Sequence, residues 1–392
     1  MMQIAALILA LLAGLSLLAW VVLVFAWGGF WQIVRFDADR DPAGTISDWP
    51  RIVVVVPARN EATTIAQSAT SLAEQDYPGD FRVIVVDDAS DDGTAEIAGG
   101  AAEKAGAPSR VEILAAPQLA PGWTGKLSAL QAGVEFASQF APDYFWFTDA
   151  DIVHAPDSLR RLVVRTRTQG LDLASLMVLL RADTSAEKLL IPPFLFFFLM
   201  LYPPRWIGDS RARTAGAAGG CILLRAAALE RIGGLAAIRG EIVDDCALAR
   251  AVKRSRGRIW MGLTRASRSL RGYSSFSEIR DLIARTAFTQ LNYSKFLLLG
   301  TLVGMLFVYL LPLVLTFSRN AHVWPLALLA WCLMCVSFMP TLAFYRVSPI
   351  FAPLLPFAAL FYLYATWLSA VRYWLGRGGQ WKGRAQAQPH KT

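Results

Sequence analysis

Two kinds of hydrophobic pattern divide this chain of 392 residues. Long apolar segments lie near both ends, and short apolar runs alternate with polar segments between them. The long segments are residues 4–27, which carry no charge, and residues 296–317, 323–345 and 350–371. Each is long enough to cross ~30 Å of hydrocarbon. The first segment lacks a basic leader and a small-residue cleavage site, so we predict an uncleaved anchor over residues 1–30. Three membrane segments are predicted over residues 296–372.

Short β-branched or aromatic runs alternate with helical patterns in the middle of the chain. Strands are predicted at residues 51–57, 82–86, 111–114 and 144–148, and helices at 62–75, 94–105 and 126–138. This alternation predicts an α/β domain with a mostly parallel sheet that helices cover on both faces. Open sheets of this kind bind ligands at the carboxyl ends of their strands.

Three further segments have distinct patterns. Residues 31–50 read as a polar linker. Residues 189–202 are apolar but too short to span a bilayer, so they form either a core helix or an interfacial, re-entrant element. The aromatic side chains and flanking proline pairs favour the second interpretation. Residues 276–295 predict an amphipathic helix lying along a membrane surface.

The charge distribution indicates anionic partners. The net charge is +8, and residues 373–392 form a basic tail that contains Arg377, Lys382 and Lys391. No nucleic-acid-binding motif accompanies this charge, so we expect anionic lipid headgroups and phosphates as partners and no nucleic acid. Cys332 and Cys335 have zinc-like spacing, but they lie in an apolar segment without further ligands and are predicted to be structural thiols.

Aspartates follow two of the predicted strands. Asp149 and Asp151 come directly after the run 144–148, where two carboxylates suit Mg²⁺ or Mn²⁺ bound together with substrate phosphates. Such an ion would neutralise a departing diphosphate. Asp88 ends another strand, where it can accept a hydrogen bond from a uracil ring or a ribose hydroxyl. The alternative there is a helix cap, which Asp91 or Asp92 could supply while Asp88 binds.

Two more charged positions have alternative interpretations. Asp244 and Asp245 precede a predicted helix. They are either its N-terminal cap or a general base that deprotonates an acceptor hydroxyl. Lys126 is either a surface lysine or a phosphate-contacting lysine at a helix N-terminus.

The order of these motifs resembles the family 2 glycosyltransferases, which have the GT-A fold. The resemblance covers residues 51–285 and rests on Pro-x-x-Asn-Glu, Asp-Asp-x-Ser-x-Asp-x-Thr, Gly-Lys-x-x-Ala-Leu, Asp-x-Asp and an acidic residue before Asp. Residues 121–126, 285–291 and 381–384 resemble the hopene-associated glycosyltransferases found beside bacterial hopanoid genes. The membrane arrangement resembles that of ceramide glucosyltransferases. The resemblance implies a GT-A domain over residues 51–275.

The resemblance also implies a role for each matching residue. Asp88 contacts the nucleotide base, and Asp149 and Asp151 hold the metal and diphosphate. Asp245 is the base for inversion by single displacement, supported by Asp244. The further residues implied in nucleotide-sugar binding are Pro57, Ala58, Arg59, Glu61 and Lys126. Processive relatives carry Gln/Arg-x-x-Arg-Trp, of which only Arg285 is kept, so a polymer product is not expected. Arg285 is then a candidate contact to the diphosphate or acceptor.

These observations predict an inverting, metal-dependent glycosyltransferase of the bacterial inner membrane, with several crossings and a cytoplasmic catalytic domain. It would move one sugar from a nucleotide-diphosphate donor, in the first instance UDP-linked, to a lipid hydroxyl of hopanoid type. Polyprenyl phosphate, a sphingolipid or another lipid are alternative acceptors, and a catalytically silent membrane scaffold is the alternative of another class. Four crossings would put the basic tail outside, against the positive-inside tendency. Either one segment is re-entrant, with Pro353 and Pro356 marking 350–371 as the candidate, or the tail departs from this tendency.

Overall fold

A computed structural model describes residues 2–40, 44–376, 378, 380–381 and 384–385. The chain forms two compact units. The helical unit comprises residues 1–35, 182–205 and 273–378, and the α/β unit comprises residues 36–181, 206–272 and 379–392. The predicted basic tail has Arg377, Lys382 and Lys391 outside the described residues.

The α/β unit is built on one mixed sheet of eight strands. In chain order these are β1 (Ile52–Ala58), β2 (Phe81–Asp87), β3 (Val111–Ala115), β4 (Tyr144–Phe147), β5 (Ile152–His154), β6 (Leu173–Leu179), β7 (Ile222–Arg225) and β8 (Ile259–Ser269). Their order across the sheet is β3-β2-β1-β4-β7-β6-β8-β5. The two-residue strands β9 (Gln380–Trp381) and β10 (Arg384–Ala385) pair with each other.

Helices connect these strands and make up the helical unit. In chain order they are α1 (Met2–Phe25), α2 (Ile65–Ala73), α3 (Thr94–Lys104), α4 (Gly125–Ala137), α5 (Ser158–Thr168), α6 (Ser185–Leu201), α7 (Pro204–Gly208), α8 (Ala226–Arg231), α9 (Asp244–Arg254), α10 (Phe276–Gln290), α11 (Lys295–Met305), α12 (Leu311–Thr316), α13 (Trp324–Phe344) and α14 (Leu355–Trp374). Short 3₁₀ turns occur at Ile33–Phe36, Ser138–Phe140, Leu235–Ile238 and Pro349–Leu354, and a π-helical turn occurs at Leu306–Leu310.

The predicted mostly parallel α/β sheet is confirmed, with one correction. β1 pairs in parallel with β2 and β4, β2 with β3, and β6 with β8. β7 runs antiparallel to both of its neighbours, and β5 runs antiparallel to β8. Every residue of β1 is buried, as expected for a strand that is covered on both faces. The carboxyl ends of the four predicted strands therefore lie at one edge of the sheet, where the aspartates follow β2 and β4.

Within the described residues, five helical stretches are long and apolar enough to cross a membrane, judged by length and composition alone. They are Gln3–Phe25, Ser185–Gly208, Lys295–Thr316, Trp324–Phe344 and Pro349–Trp374. The second contains residues 189–202, which the sequence predicts to be too short. The helix starts earlier because Thr184 and Glu187 form a capping box, and its apolar stretch runs on to Gly208. Length alone therefore does not exclude a crossing here.

Side chains of α6 pack in the interior of the helical unit. The Phe196 ring meets the rings of Phe30 and Phe338 edge to face, each with centroids 5.2 Å apart. The Tyr362 hydroxyl donates to the carbonyl of Leu190 at 2.8 Å. Aromatic pairs of this geometry add to the stabilisation that burial provides. α6 therefore packs within its own unit, and its interfacial position at a membrane stays a prediction.

Residues 350–371 do not form a broken helix within the described part of the chain. Pro353 lies in a 3₁₀ turn, and Pro356 lies in the first turn of α14. Proline is tolerated at the start of a helix because the N–H that it lacks would have no partner there. α14 then continues to Trp374 and packs against the amphipathic α10, where Arg372 pairs with Asp281 at 2.7 Å.

Gly133 sets the distance between α4 and the sheet, and this contact is testable. A Cβ atom at Gly133 would lie 2.3 Å from Val55 Cγ1 and 3.0 Å from Val86 Cγ2. We expect Gly133→Ala to lower the free energy of unfolding by about 1–3 kcal/mol, because overpacking shifts α4 away from β1. Gly100→Ala is the matched control, since a Cβ there meets nothing within 4 Å and alanine is the better helix former. Thermal unfolding of the full chain checks this; equal melting of both variants would contradict it.

Candidate active site

The loops that follow β1 and β2 are tied together by hydrogen bonds. The Arg59 guanidinium donates to the carbonyls of Asp88 and Ala89. Asn60 and Ala89 both adopt the left-handed conformation, with φ of 50° and 51°. Four further bonds join the loops: Asn60 N–H to Ser90 Oγ, Asp91 N–H to Asn60 Oδ1, Glu61 N–H to Thr94 Oγ1 and Ala62 N–H to Asp92 Oδ2. The two loops therefore form one structural element.

Asp88 lies at the sheet edge within this element. Its side chain is only 4% exposed, and its carboxylate lies 3.9 Å from Arg59 Nη1. At the start of α3, Asp92 accepts hydrogen bonds from the Thr94 N–H and hydroxyl. The Thr94 hydroxyl lowers the pKa of Asp92. Gly93, not Asp91 or Asp92, occupies the N-cap position of α3, and Asp92 lies directly before it.

Lys126 is the centre of a second charged cluster. Its ammonium lies 2.8 Å from Asp149 Oδ1 and 3.4 Å from Asp244 Oδ2, and its side chain is 18% exposed. Thr124 caps α4 and so places Lys126 in the first turn, facing the ends of β1 and β4. Burial alone would lower the pKa of Lys126, but Asp149 and Asp244 outweigh it and raise the pKa. Lys126 is therefore a half-buried, paired lysine, and its contact with a phosphate stays a prediction.

Asp245 is held by backbone groups on both oxygens. Oδ1 accepts from Cys246 N–H at 2.7 Å, and Oδ2 accepts from Gly219 N–H at 2.9 Å. Val243, not Asp244 or Asp245, occupies the N-cap position of α9. Burial and the neighbouring Asp244 raise the pKa of Asp245 to about 6, although Lys126 opposes the shift. A carboxylate that titrates near neutral pH is suited to accept a proton.

Asp149 and Asp151 lie in the turn between β4 and β5. Asp151 Oδ2 accepts from the Ser269 hydroxyl at 2.7 Å, and the Asp151 carbonyl accepts from Leu270 N–H at 2.8 Å. Burial and the nearby Asp149 raise the pKa of Asp151. A cation placed at this turn would relieve the repulsion between the two carboxylates.

The donor set at this turn fits a divalent cation only in part. Among the described residues, no group of three or more His, Cys, Asp or Glu side chains is arranged to hold a metal ion. Asp149 and Asp151 supply hard oxygen ligands, and Mg²⁺ commonly binds one or two carboxylates together with substrate phosphates. The residues therefore fit a Mg²⁺ or Mn²⁺ ion whose coordination a bound diphosphate completes.

A small cavity lies beneath the charged cluster. Lys126, Asp149, Asp244 and Asp245 contribute polar groups to its lining. Apolar side chains contribute most of the rest: Pro57, Leu127, Leu130, Phe147, Ile222, Leu235, Ile238 and Leu248. This apolar lining removes water from one side of the carboxylates, which raises the energy of their charged forms.

Several groups of the site carry no obvious signal in the sequence. The Gly219 N–H that binds Asp245 is a backbone group, and only the pair Gly219–Gly220 before β7 hints at a close approach. A Cβ at Gly219 would lie 3.1 Å from Lys126 Nζ. Ser269 lies far along the chain from its partner Asp151. The candidate Arg285 is an exposed residue of α10 in the helical unit, so its predicted role stays a prediction.

Comparisons with known proteins show what this chain is similar to. Residues 53–233 match the family described as Glycosyl transferase family 2. An N-acetylglucosaminyltransferase of Mesorhizobium japonicum is 29% identical over 45% of this chain and 37% of its own length. An N-acetylglucosaminyltransferase of Rhizobium leguminosarum bv. viciae is 27% identical over 54% of this chain and 46% of its own length. The chain thus spans less than half the length of these curated relatives.

A solved structure shares the fold. The mannosyltransferase PcManGT from Pyrobaculum calidifontis, determined with GDP-Man and Mn²⁺, superposes with a TM-score of 0.52 at 18% identity. The superposition covers 92% of this chain and 99% of that chain. At this identity the likeness concerns the fold, which the chain shares with that glycosyltransferase structure.

The Lys126 cluster yields a stability prediction. Lys126→Met leaves Asp149, Asp244 and Asp245 close together without their cation. Exposed ion pairs contribute at most about 1 kcal/mol, and breaking a fully buried pair costs about 3–5 kcal/mol. For this partly exposed cluster we expect a loss of roughly 2 kcal/mol. Lys104→Met, at an exposed position of α3, is the control and should melt like wild type. Similar melting of both variants would show that Lys126 does not stabilise the cluster.

Proposed function

We propose that this chain is a membrane-bound, inverting glycosyltransferase that moves one sugar from a nucleotide-diphosphate donor to the hydroxyl of a lipid. The observation that carries the proposal is the cluster in which Lys126 joins the Asp149 turn to the Asp244–Asp245 pair. A leaving diphosphate needs positive charge, and an attacking hydroxyl needs a base; this cluster supplies both within one site. The family 2 domain provides the setting for that chemistry.

The donor is proposed to bind along the carboxyl ends of β1, β2 and β4. Asp88 would accept a hydrogen bond from the base or ribose, and the loop containing Pro57, Ala58, Arg59 and Glu61 would line the nucleotide. Lys126 would turn from the carboxylates toward the diphosphate. Because the curated relatives are N-acetylglucosaminyltransferases, UDP-N-acetylglucosamine is the first donor to test. The Mn²⁺ and GDP-Man in the mannosyltransferase structure make GDP-mannose the second.

Asp149 and Asp151 are proposed to hold the divalent cation through carboxylate oxygens. When bound, that ion supplies positive charge to the leaving diphosphate. The Ser269 hydroxyl keeps Asp151 in place by its 2.7 Å hydrogen bond. The protein thereby positions its carboxylates before the donor arrives, which avoids part of the reorganisation during the reaction.

Asp245 is proposed to accept the proton of the acceptor hydroxyl. As that proton moves to Asp245, the hydroxyl oxygen forms a bond to the anomeric carbon. The bond from that carbon to the phosphate oxygen breaks, and the nucleoside diphosphate leaves. One displacement inverts the configuration at the anomeric carbon. Gly219 N–H and Cys246 N–H fix the direction of the carboxylate, and Asp244 shares the Lys126 charge.

A lipid acceptor is proposed because of the apolar helices. In the part of the chain that the structure describes, five stretches are apolar and long enough to cross a bilayer. An acceptor that lies in the membrane would then reach an enzyme that is anchored there. A hopanoid-type hydroxyl is the first acceptor to test, with polyprenyl phosphate and sphingolipid as alternatives, and Arg285 is a candidate contact.

The proposed location is the bacterial inner membrane with a cytoplasmic α/β unit and anionic headgroups nearby, since nucleotide sugars are cytoplasmic.

A transfer assay tests the proposal. The full chain in membranes is incubated with UDP-N-acetylglucosamine, UDP-glucose or GDP-mannose and with separate lipid classes, with and without a chelator. We expect a glycolipid from one donor, and loss of its formation in the chelator that added Mn²⁺ reverses. Turnover that persists in excess chelator would contradict the metal assignment. No transfer from any donor would favour the silent scaffold.

Asp245→Asn separates the base from a merely structural aspartate. Asparagine retains the shape of the side chain but not its basicity. We expect turnover to fall by about 10²–10⁴-fold, which corresponds to ~1.4 kcal/mol of barrier for each tenfold. Because the base must be ionised, the wild-type rate should decline as the pH falls through about 6, and this decline should be absent from the residual rate of the variant.

The control for Asp245→Asn is Asp76→Asn, an aspartate whose side chain is 63% exposed and outside the site. It should keep both the rate and its pH dependence. Unimpaired transfer by Asp245→Asn would remove this residue from the mechanism and leave Asp244 or Glu241 as the base to test.

A further inference from the structure

Two buried polar residues flank the turn that carries Asp149 and Asp151. Thr148 comes directly before it and His154 follows it, and they are 1% and 3% exposed. Thr148 Oγ1 and His154 Nε2 lie 2.8 Å apart, so the two side chains close the turn at its base. The His154 ring also lies against Trp146, with centroids 4.6 Å apart. Neither residue has a role in the proposed chemistry.

The hydrogen-bond partners define which groups donate. The Thr148 hydroxyl donates its one hydrogen to the carbonyl of Gly220 at 2.9 Å. His154 Nε2 must then carry a hydrogen and donate to Thr148 Oγ1. His154 Nδ1 accepts in turn from the Ser267 hydroxyl at 2.8 Å. This arrangement satisfies every group with a neutral ring, and burial lowers the pKa of His154 to about 3.

This chain of bonds reaches both sets of functional carboxylates. On one side, β5 pairs with β8 so that His154 lies opposite Ser267 and Ile152 opposite Ser269. Ser269 is the residue that donates to Asp151 at 2.7 Å. On the other side, Gly220 adjoins Gly219, whose N–H binds Asp245 at 2.9 Å. The Thr148–His154 pair is therefore connected, through β8 and through the Gly219–Gly220 backbone, to the groups that bind Asp151 and Asp245.

We propose that His154 is a positioning residue which, through Thr148, holds the Asp149–Asp151 turn in the geometry needed to bind a divalent cation. The inference rests on the proposed function, because it assumes that this turn binds the cation. Groups that orient metal ligands typically change metal affinity or activity by about 10–100-fold when they are removed. His154 would act in this way from behind the turn, without touching the donor.

The test compares pairs of variants in the full chain, with Mn²⁺ as the probe. Thr148→Val keeps the shape of the side chain but removes the hydroxyl, and Thr148→Ser keeps the hydroxyl. His154→Leu removes both ring hydrogen bonds. Thr166→Val is the matched control, because Thr166 is equally buried but its hydroxyl bonds only to its own helix, at Leu162. Free Mn²⁺ is measured by electron paramagnetic resonance with and without UDP, so the readout does not depend on turnover.

We expect Thr148→Val and His154→Leu to weaken Mn²⁺ binding by at least about tenfold, and Thr148→Ser to restore most of the affinity. Thr166→Val should lose some stability but bind Mn²⁺ like wild type. Should His154→Leu fail to fold, the Thr148 pair decides the question. Wild-type affinity in Thr148→Val would overturn the positioning role alone. A wild-type protein that binds no Mn²⁺, even with UDP, would overturn the proposed metal site and this role with it.

Discussion

The ion pairs of Lys126 are the interaction on which the site depends. Asp149, Asp244 and Asp245 approach one another at the end of the sheet, where water is partly excluded, and carboxylates in such a place repel each other. The ammonium of Lys126, which pairs with Asp149 and Asp244, offsets part of this repulsion. Lys126 reaches this position because α4 begins there and lies close to β1, an approach that only glycine permits at position 133.

Burial raises the energy of the charged carboxylates, and in the proposed mechanism it also prepares Asp245 to accept a proton. The apolar residues beneath Asp245 raise its pKa to about 6, while two backbone N–H groups fix its orientation. A fully hydrated aspartate would titrate well below neutral pH and would accept a proton less readily. Lys126 opposes the shift, so the pKa of Asp245 is set by a balance between burial and one nearby cation. In the proposed mechanism, Lys126 and the burial around it therefore affect both the stability of the cluster and the reactivity of Asp245.

The sequence predicts the frame of this site because the frame follows simple rules. Buried parallel strands are continuous apolar runs, so the ends of β1, β2 and β4, and the aspartates after β2 and β4, could be located from hydrophobicity alone. The antiparallel β7 and β5 could not, since runs of three or four residues do not reveal direction or partners. The extent of α6 was underestimated because its polar first turn is stabilised by a capping box rather than by apolar residues. The sequence alone does not decide whether Asp245 is a helix cap or a base. Its partner is the backbone N–H of Gly219, and no side chain in the sequence indicates that contact.

The anomeric configuration of the product tests the central claim most directly. In the proposed mechanism, a single base, Asp245, lies beside the acceptor, and one displacement takes place at the anomeric carbon. With an α-linked nucleotide sugar as donor, the glycolipid isolated from the reaction should therefore carry a β linkage, which proton nuclear magnetic resonance of the anomeric hydrogen can establish. An α-linked product would contradict the account, because retention of configuration requires a different mechanism from one direct displacement promoted by Asp245.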